Sequence, residues 1–133
     1  MNENEAYKTG LAVRKKVLGE AYVNGAMANM NAFTEPLQQF VTEHAWGNVW
    51  TRPGLDLKTR SMLNLGILIA SNRPHELKIH LKGAVNNGVT KEEMVEIFLQ
   101  CGVYVGAPAA VESFKIAQEV FKEMEAEKTA GGL

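Results

Sequence analysis

The sequence predicts an all-α fold, a compact bundle of about six helices. Three observations carry that expectation. Apolar residues recur at helical spacing along most of the chain, helix stop and start signals stand between the apolar runs, and no segment alternates with the period of two that a half-buried strand requires. With 133 residues the chain is long enough for one sizeable core and short for two, so residues 1–133 read as a single domain with 1–6 and 125–133 expected to fray.

Tyr7, Leu11, Val13, Val17 and Leu18 fall near helical spacing, and Gly19 supplies a stop. From Ala21 to Phe33 the pattern weakens into Ala, Met and Asn, which suits either a short helix or an ordered arm. Thr34 is placed to cap the next helix, with Glu35 and Pro36 in its first turn and Leu37, Phe40, Val41 and Ala45 on one apolar stripe. That helix is expected to lead into a bend over 44–55. After Pro53-Gly54, Asp56 can cap a helix whose Leu57, Met62, Leu63, Leu65, Ile67, Leu68 and Ile69 are apolar nearly all round, which requires a central place in the fold or in an oligomer. Asn72-Arg73-Pro74 breaks the chain and starts a helix through Leu77, Leu81, Ala84 and Val85, ending at Asn87-Gly88 with the glycine suited to a left-handed turn. Thr90 and Glu93 have the spacing of a capping box, and Met94, Val95, Ile97, Phe98 and Leu99 are expected inside. Gly106-Ala107-Pro108 interrupts before a last helix with Val111, Phe114, Ile116, Ala117, Val120 and Phe121 in contact; beyond Glu123 the tail is polar.

Composition excludes several classes of function. Hydrophobic residues make up 46% and the formal net charge is −1, which argues against disorder and against a basic nucleic-acid surface. The run from Met62 to Ala70, broken by Asn64 and Gly66, is too short to span a bilayer. Met1-Asn2-Glu3-Asn4-Glu5 is acidic rather than a basic leader, so a cytoplasmic protein is expected. Cys101 is the single cysteine, which leaves no disulfide, no Cys-x-x-Cys pair and no cysteine-based zinc site; Phe98, Leu99, Val103 and Val105 around it suggest a buried thiol.

The stretch from His44 to Leu55 gathers His44, Trp46, Trp50 and Arg52 beside Gly and Pro, a composition suited to an anionic organic ligand. Arg52, Arg60 and Arg73 can grip carboxylates through their forked guanidinium groups, although each also reads as ordinary solvated charge. Trp46 and Trp50 equally suit a core or a subunit interface. Glu76 and His80 stand four apart and share a helix face, where a carboxylate can fix the imidazole tautomer for proton transfer. Spacing alone reads first as a surface ion pair or a structural histidine. His75 and His80 are five apart and do not project together as metal ligands, so no metal site is expected. Neither a phosphate-cradling loop nor a Gly-x-Ser-x-Gly elbow is present.

The motif from His44 to Leu55, followed by Lys58-Thr59-Arg60-Ser61, Glu76-Leu77-Lys78-Ile79-His80-Leu81, Asn86-Asn87-Gly88-Val89 and Gly106-x-Pro108-Ala109-Ala110, closely resembles the carboxymuconolactone decarboxylase family. The likeness is colinear from about Tyr7 to Phe121. It implies an alkylhydroperoxidase-D-like helical fold and a homo-oligomer, a ring-like hexamer built from dimers. The peroxidase branch of that superfamily carries Cys-x-x-Cys where this chain has Arg73 and Glu76, and a glutamate where it has Ser61. Thiol peroxidase chemistry needs an attacking and a resolving thiol and is excluded here.

The resemblance implies cofactor-independent decarboxylation of 4-carboxymuconolactone to the β-ketoadipate enol-lactone in protocatechuate breakdown. The electrons released with carbon dioxide spread onto the lactone carbonyl, so the substrate is its own electron sink and no cofactor is expected. On this reading Arg52 and Arg60 bind carboxylates, His80 is the general acid, Glu76 orients it, His44 and Trp46 line the pocket, and Arg73 joins it or caps its mouth. The alternatives are a family enzyme with another lactone or carboxylate substrate, and a non-catalytic helical oligomer that binds small acids.

Overall fold

A computed structural model describes residues 1–131, and among these there are helices and turns and no strand. Helix α1 is Glu5–Leu18, α2 Glu20–Ala28, α3 Glu35–Phe40, α4 Leu57–Ala70, α5 Pro74–Asn86, α6 Lys91–Tyr104 and α7 Ala107–Gly131. A π-helical segment, Val41–Gly47, continues directly from α3. The all-α expectation holds, and α2 is the short helix that the weak 21–33 pattern left open. The chain divides into two compact units, Met1–Arg60 and Ser61–Leu133.

In the first unit α1 is capped by Asn4, whose side chain accepts from the Tyr7 amide at 2.9 Å, and it stops at Gly19, where φ is 94°. Tyr7, Gly10, Arg14 and Val17 are its buried residues. Gly10 is required by packing: a Cβ there would collide with the Thr42 carbonyl oxygen and stand 2.6 Å from the Gly47 amide nitrogen. A Cβ on Gly47 would in turn collide with the Ala6 carbonyl, so α1 and the π-helical segment meet backbone to backbone.

Two expectations for this unit change. Thr34 occupies the cap position of α3 without capping it, because its hydroxyl accepts from the Asn31 amide at 3.0 Å in the preceding turn. Leu37 and Phe40 are exposed, while Thr42 and Trp46 are buried. The wider i→i+5 winding after Phe40 turns a different face inward from the one an α-helical stripe would present. At the N-terminus the Met1 ammonium stands 3.2 Å from Glu35 and Asn4 donates to Glu43 at 2.9 Å.

The second unit is built on one apolar cluster: Leu65 and Ile69 of α4, Leu77, Leu81 and Ala84 of α5, Val89, Met94, Phe98 and Cys101 of α6 and its approach, and Ala117 and Val120 of α7. Its turns follow the sequence signals. Asn72, with φ 56°, closes α4 while the Arg73 amide reaches the Leu68 carbonyl at 2.9 Å, and Gly88, with φ 88°, closes α5 while the Val89 amide reaches the Ala84 carbonyl at 2.9 Å. Both bonds of the Thr90–Glu93 capping box are present, at 3.0 and 2.9 Å.

Val95, Leu99 and Val111, expected inside, are exposed, as are Leu63 and Ile67 of the apolar α4. The polar tail is helical through Gly131. Lys78 and Lys82 of α5 pair with Glu123 at 2.7 and 3.0 Å, and Lys82 also reaches Glu127 at 3.6 Å, which fastens this end of α7. Residues 132–133 of the expected frayed tail lie outside the described residues. Cys101 is buried, and that burial raises its thiol pKa, as its apolar neighbours suggested.

Candidate functional site

The His44–Leu55 motif begins in the π-helical segment and bends only after it, through turns from Asn48 onward. The Trp50 amide reaches the Ala45 carbonyl at 3.0 Å and the Thr51 hydroxyl the Gly47 carbonyl at 2.5 Å, bonds that fold the chain back. His44 is exposed; its Nδ1 lies 3.3 Å from Asn48 Nδ2, and its ring stands 5.1 Å from that of Phe40. Trp46 is buried and stacked on Trp50, with centroids 4.7 Å apart and planes 25° from parallel. Stacked indoles form a stiff apolar wall.

Arg52 and Arg60 are brought together. Arg60 Nη2 donates to the Arg52 carbonyl oxygen at 3.1 Å, so the second arginine braces the backbone of the first. Neither makes an ion pair among the described residues, and Arg60 Nε is buried with no acceptor there. A buried guanidinium donor without an acceptor is costly unless an anion meets it. Between the two, Asp56 accepts from the Thr59 amide at 2.7 Å and caps α4; hydrogen bonding with Thr59 holds its carboxyl below the usual aspartate value.

In the second unit His80 is half-buried on α5, and Asn64 Nδ2 of α4 lies 3.1 Å from its Nδ1. Glu76, one turn earlier, is exposed. Arg73 is exposed at the start of α5 and lines a cleft of about 260 Å³ with Leu68, Leu77, Pro108 and Glu112. His75 is exposed as expected. No group of three or more His, Cys, Asp or Glu side chains suited to a metal occurs among the described residues.

Asn64, Ser61 and Arg14 were missed in the sequence. Asn64 read only as an interruption of an apolar run, yet an amide inside such a helix is itself a signal, since a half-buried polar group seeks a partner. Ser61 is buried and accepts from Asn87 Nδ2 at 2.9 Å. Arg14 is buried on α1, and nothing in its helical pattern marked it.

Comparison with known proteins gives these features a family. The model of the carboxymuconolactone decarboxylase family matches residues 35–119, a stretch that holds every candidate above except Arg14. A 4-carboxymuconolactone decarboxylase of Acinetobacter baylyi is 46% identical over 124 residues, covering 93% of this chain and 92% of the relative. The nitrosuccinic acid decarboxylase npaB of Metarhizium robertsii is 46% identical over 118 residues, covering 89% and 82%. A 4-carboxymuconolactone decarboxylase sequence of Pseudomonas putida is 38% identical over 48 residues, which is 36% of this chain and 100% of that sequence. The chain therefore belongs to the carboxymuconolactone decarboxylase family and is a carboxy-lyase.

Proposed function

We propose that this carboxy-lyase converts 4-carboxymuconolactone to the β-ketoadipate enol-lactone in protocatechuate catabolism, without a cofactor. The observation that carries the reading is the 46% identity, over nearly the full length of both chains, to a relative of that activity. The chemistry asks little beyond placement. The bond to the departing carboxylate breaks, its electron pair passes through the ring double bond onto the lactone carbonyl oxygen, and one proton returns to a ring carbon as carbon dioxide leaves.

In this reading Arg52 and Arg60 hold the carboxylates, and the acceptor-less Arg60 Nε supports an anion there. Trp46 walls the pocket against water, His44 faces the lactone oxygen, and Arg73 closes the mouth. His80 returns the proton. Asn64 serves both charge states of the ring: with its amide turned over, Oδ1 accepts Nδ1–H of the imidazolium and of the neutral ring left once Nε2 has given its proton. Nε2 is then the nitrogen that gives its proton to the ring carbon. Glu76, four residues earlier on the same helix face, orients the ring.

A second substrate has a specific observation behind it, because the nitrosuccinic acid decarboxylase is equally identical. A nitro group beside a carboxylate is likewise an internal electron sink, and a dicarboxylate would suit the same two arginines. Carbon dioxide release by the purified chain from each compound decides between them. Turnover of carboxymuconolactone with a kcat/KM well above that for nitrosuccinate is expected; the reverse order assigns the chain to the second reading.

The same reading includes assembly as a cytoplasmic homohexamer. Its support is the exposed apolar surface at Phe33, Phe40, Val103, Tyr104 and Val111, of which Phe33 is 91% and Tyr104 81% accessible in the single chain. No helix among the described residues is long and apolar enough to cross a membrane. Light scattering coupled to size exclusion reads the assembly mass directly.

A further inference from the structure

We propose that Arg14 is a positioning residue that holds Val41–Gly47 in its π-helical register and so sets the direction of His44 and Trp46. The functional half of this inference rests on the reading that puts those two side chains in the site.

Arg14 is 6% exposed, and its partners are neutral: Nη1 donates to Gln38 Oε1 at 2.8 Å and to Thr42 Oγ1 at 3.4 Å. Its Nε is buried without an acceptor among the described residues, and burial lowers the pKa of the guanidinium. A buried cation so poorly compensated is a poor source of stability. The segment it grips is itself unusual. A π-helix is rare and persists where surrounding contacts impose it, often at functional sites.

The contacts that impose it converge on Thr42. Its hydroxyl meets Arg14, its carbonyl oxygen meets the bare Cα of Gly10, and its side chain is fully buried. Gln38, the other acceptor, lies on α3 one turn earlier, so a single guanidinium spans the junction where α-helical winding changes to π-helical. Four residues beyond Thr42, Trp46 is the segment's second buried residue and is stacked on Trp50. A slip of one residue in register turns each side chain by about 100° around the axis. That slip would break the indole stack and swing His44 away.

Arg14→Met keeps the length of the side chain while removing its charge and its donors. An ordinary structural role predicts a lower melting temperature and an unchanged segment in whatever remains folded. A register role predicts the opposite pattern. The stacked indoles should give a circular-dichroism exciton couplet, and Trp50→Phe shows that the signal is theirs. In Arg14→Met the couplet is expected to vanish while the melting temperature holds or rises, and KM for carboxymuconolactone should rise roughly ten-fold, more than kcat falls. Retention of the couplet overturns the proposal whatever the kinetics. Loss of the couplet with unchanged kinetics sustains the register role and overturns the placement of His44 and Trp46 in the site. Should Arg14→Met not fold, Thr42→Val removes the acceptor with little change of shape; a weakened couplet supports the proposal and an intact one ends it.

Discussion

Asn64 Nδ2 stands 3.1 Å from Nδ1 of His80, so an amide on α4 meets the imidazole on α5. Asn64→Leu keeps the bulk and deletes this contact. The expected result is a kcat lower by about 10- to 100-fold with KM little changed, since proton delivery rather than binding depends on the ring. Nitrogen NMR of labelled histidine should show one neutral tautomer dominant in the wild type and a mixture in the variant. An unchanged tautomer ratio would mean that another contact fixes the ring.

His80 and Arg52 should separate by kinetic signature. His80→Ala is expected to lower kcat by about 10²- to 10⁴-fold, the range for loss of a positioned proton donor, and to leave KM near its original value. Arg52→Ala should raise KM and lower kcat together, because the carboxylate it grips is bound in the ground state and held more tightly in the transition state. Arg60→Lys should behave like Arg52→Ala, since an ammonium supplies neither the Nε donor nor the fork that braces the Arg52 carbonyl. Wild-type turnover by His80→Ala protein would remove His80 from the chemistry.

The elements that could be read from the sequence are those whose signal and cause are local. Asp56 caps α4, Thr90 and Glu93 close on each other, the chain breaks at Asn72, and Gly88 takes the left-handed turn its position implies, because each is decided within one helical turn. Thr34 failed for an equally local reason, a competing turn at Asn31. The winding after Phe40 was not legible, since it depends on Gly10, Arg14 and Gly47, residues far apart in sequence that only tertiary contact brings together. Val95 and Leu99 show the limit of apolar pattern, which marks a face as buried without saying whether this chain buries it. In the candidate site, His44, Trp46, Arg52 and His80 stood out as residue types. Asn64 did not, because an amide advertises no chemistry until its partner is seen.

The Gly10 contact predicts a large effect from one methyl group. In Gly10→Ala the new Cβ would meet the Thr42 carbonyl and the Gly47 backbone, neither of which can rotate aside. A loss of about 1–3 kcal/mol is expected from overpacking of this kind. Gly25→Ala is the control, because in α2 nothing lies within 4 Å of the added Cβ. There the gain in helix propensity should stabilise by about 0.5–1 kcal/mol. Urea unfolding of the two variants should move the midpoint in opposite directions, and a shift of the same sign in both would contradict the close approach of α1 to the π-helical segment.

The cap at Asp56 ties stability to pH and to the candidate site at once. Hydrogen bonds from Thr59 depress its folded pKa below the reference value of 3.8, so the ionised carboxylate is favoured by folding. Its contribution is therefore complete above the unfolded pKa and disappears as pH falls through the lower folded one. Asp56→Ala should melt below the wild type at neutral pH, and the gap should close in strong acid. Arg60 lies in the turn that this cap secures, with its amide 3.0 Å from the Asp56 carbonyl. Fraying of that turn should loosen the guanidinium, so Asp56→Ala is also expected to raise KM while leaving kcat nearly unchanged. A gap in melting temperature that stays constant from neutral pH into acid would show that the carboxylate charge is not what holds the turn.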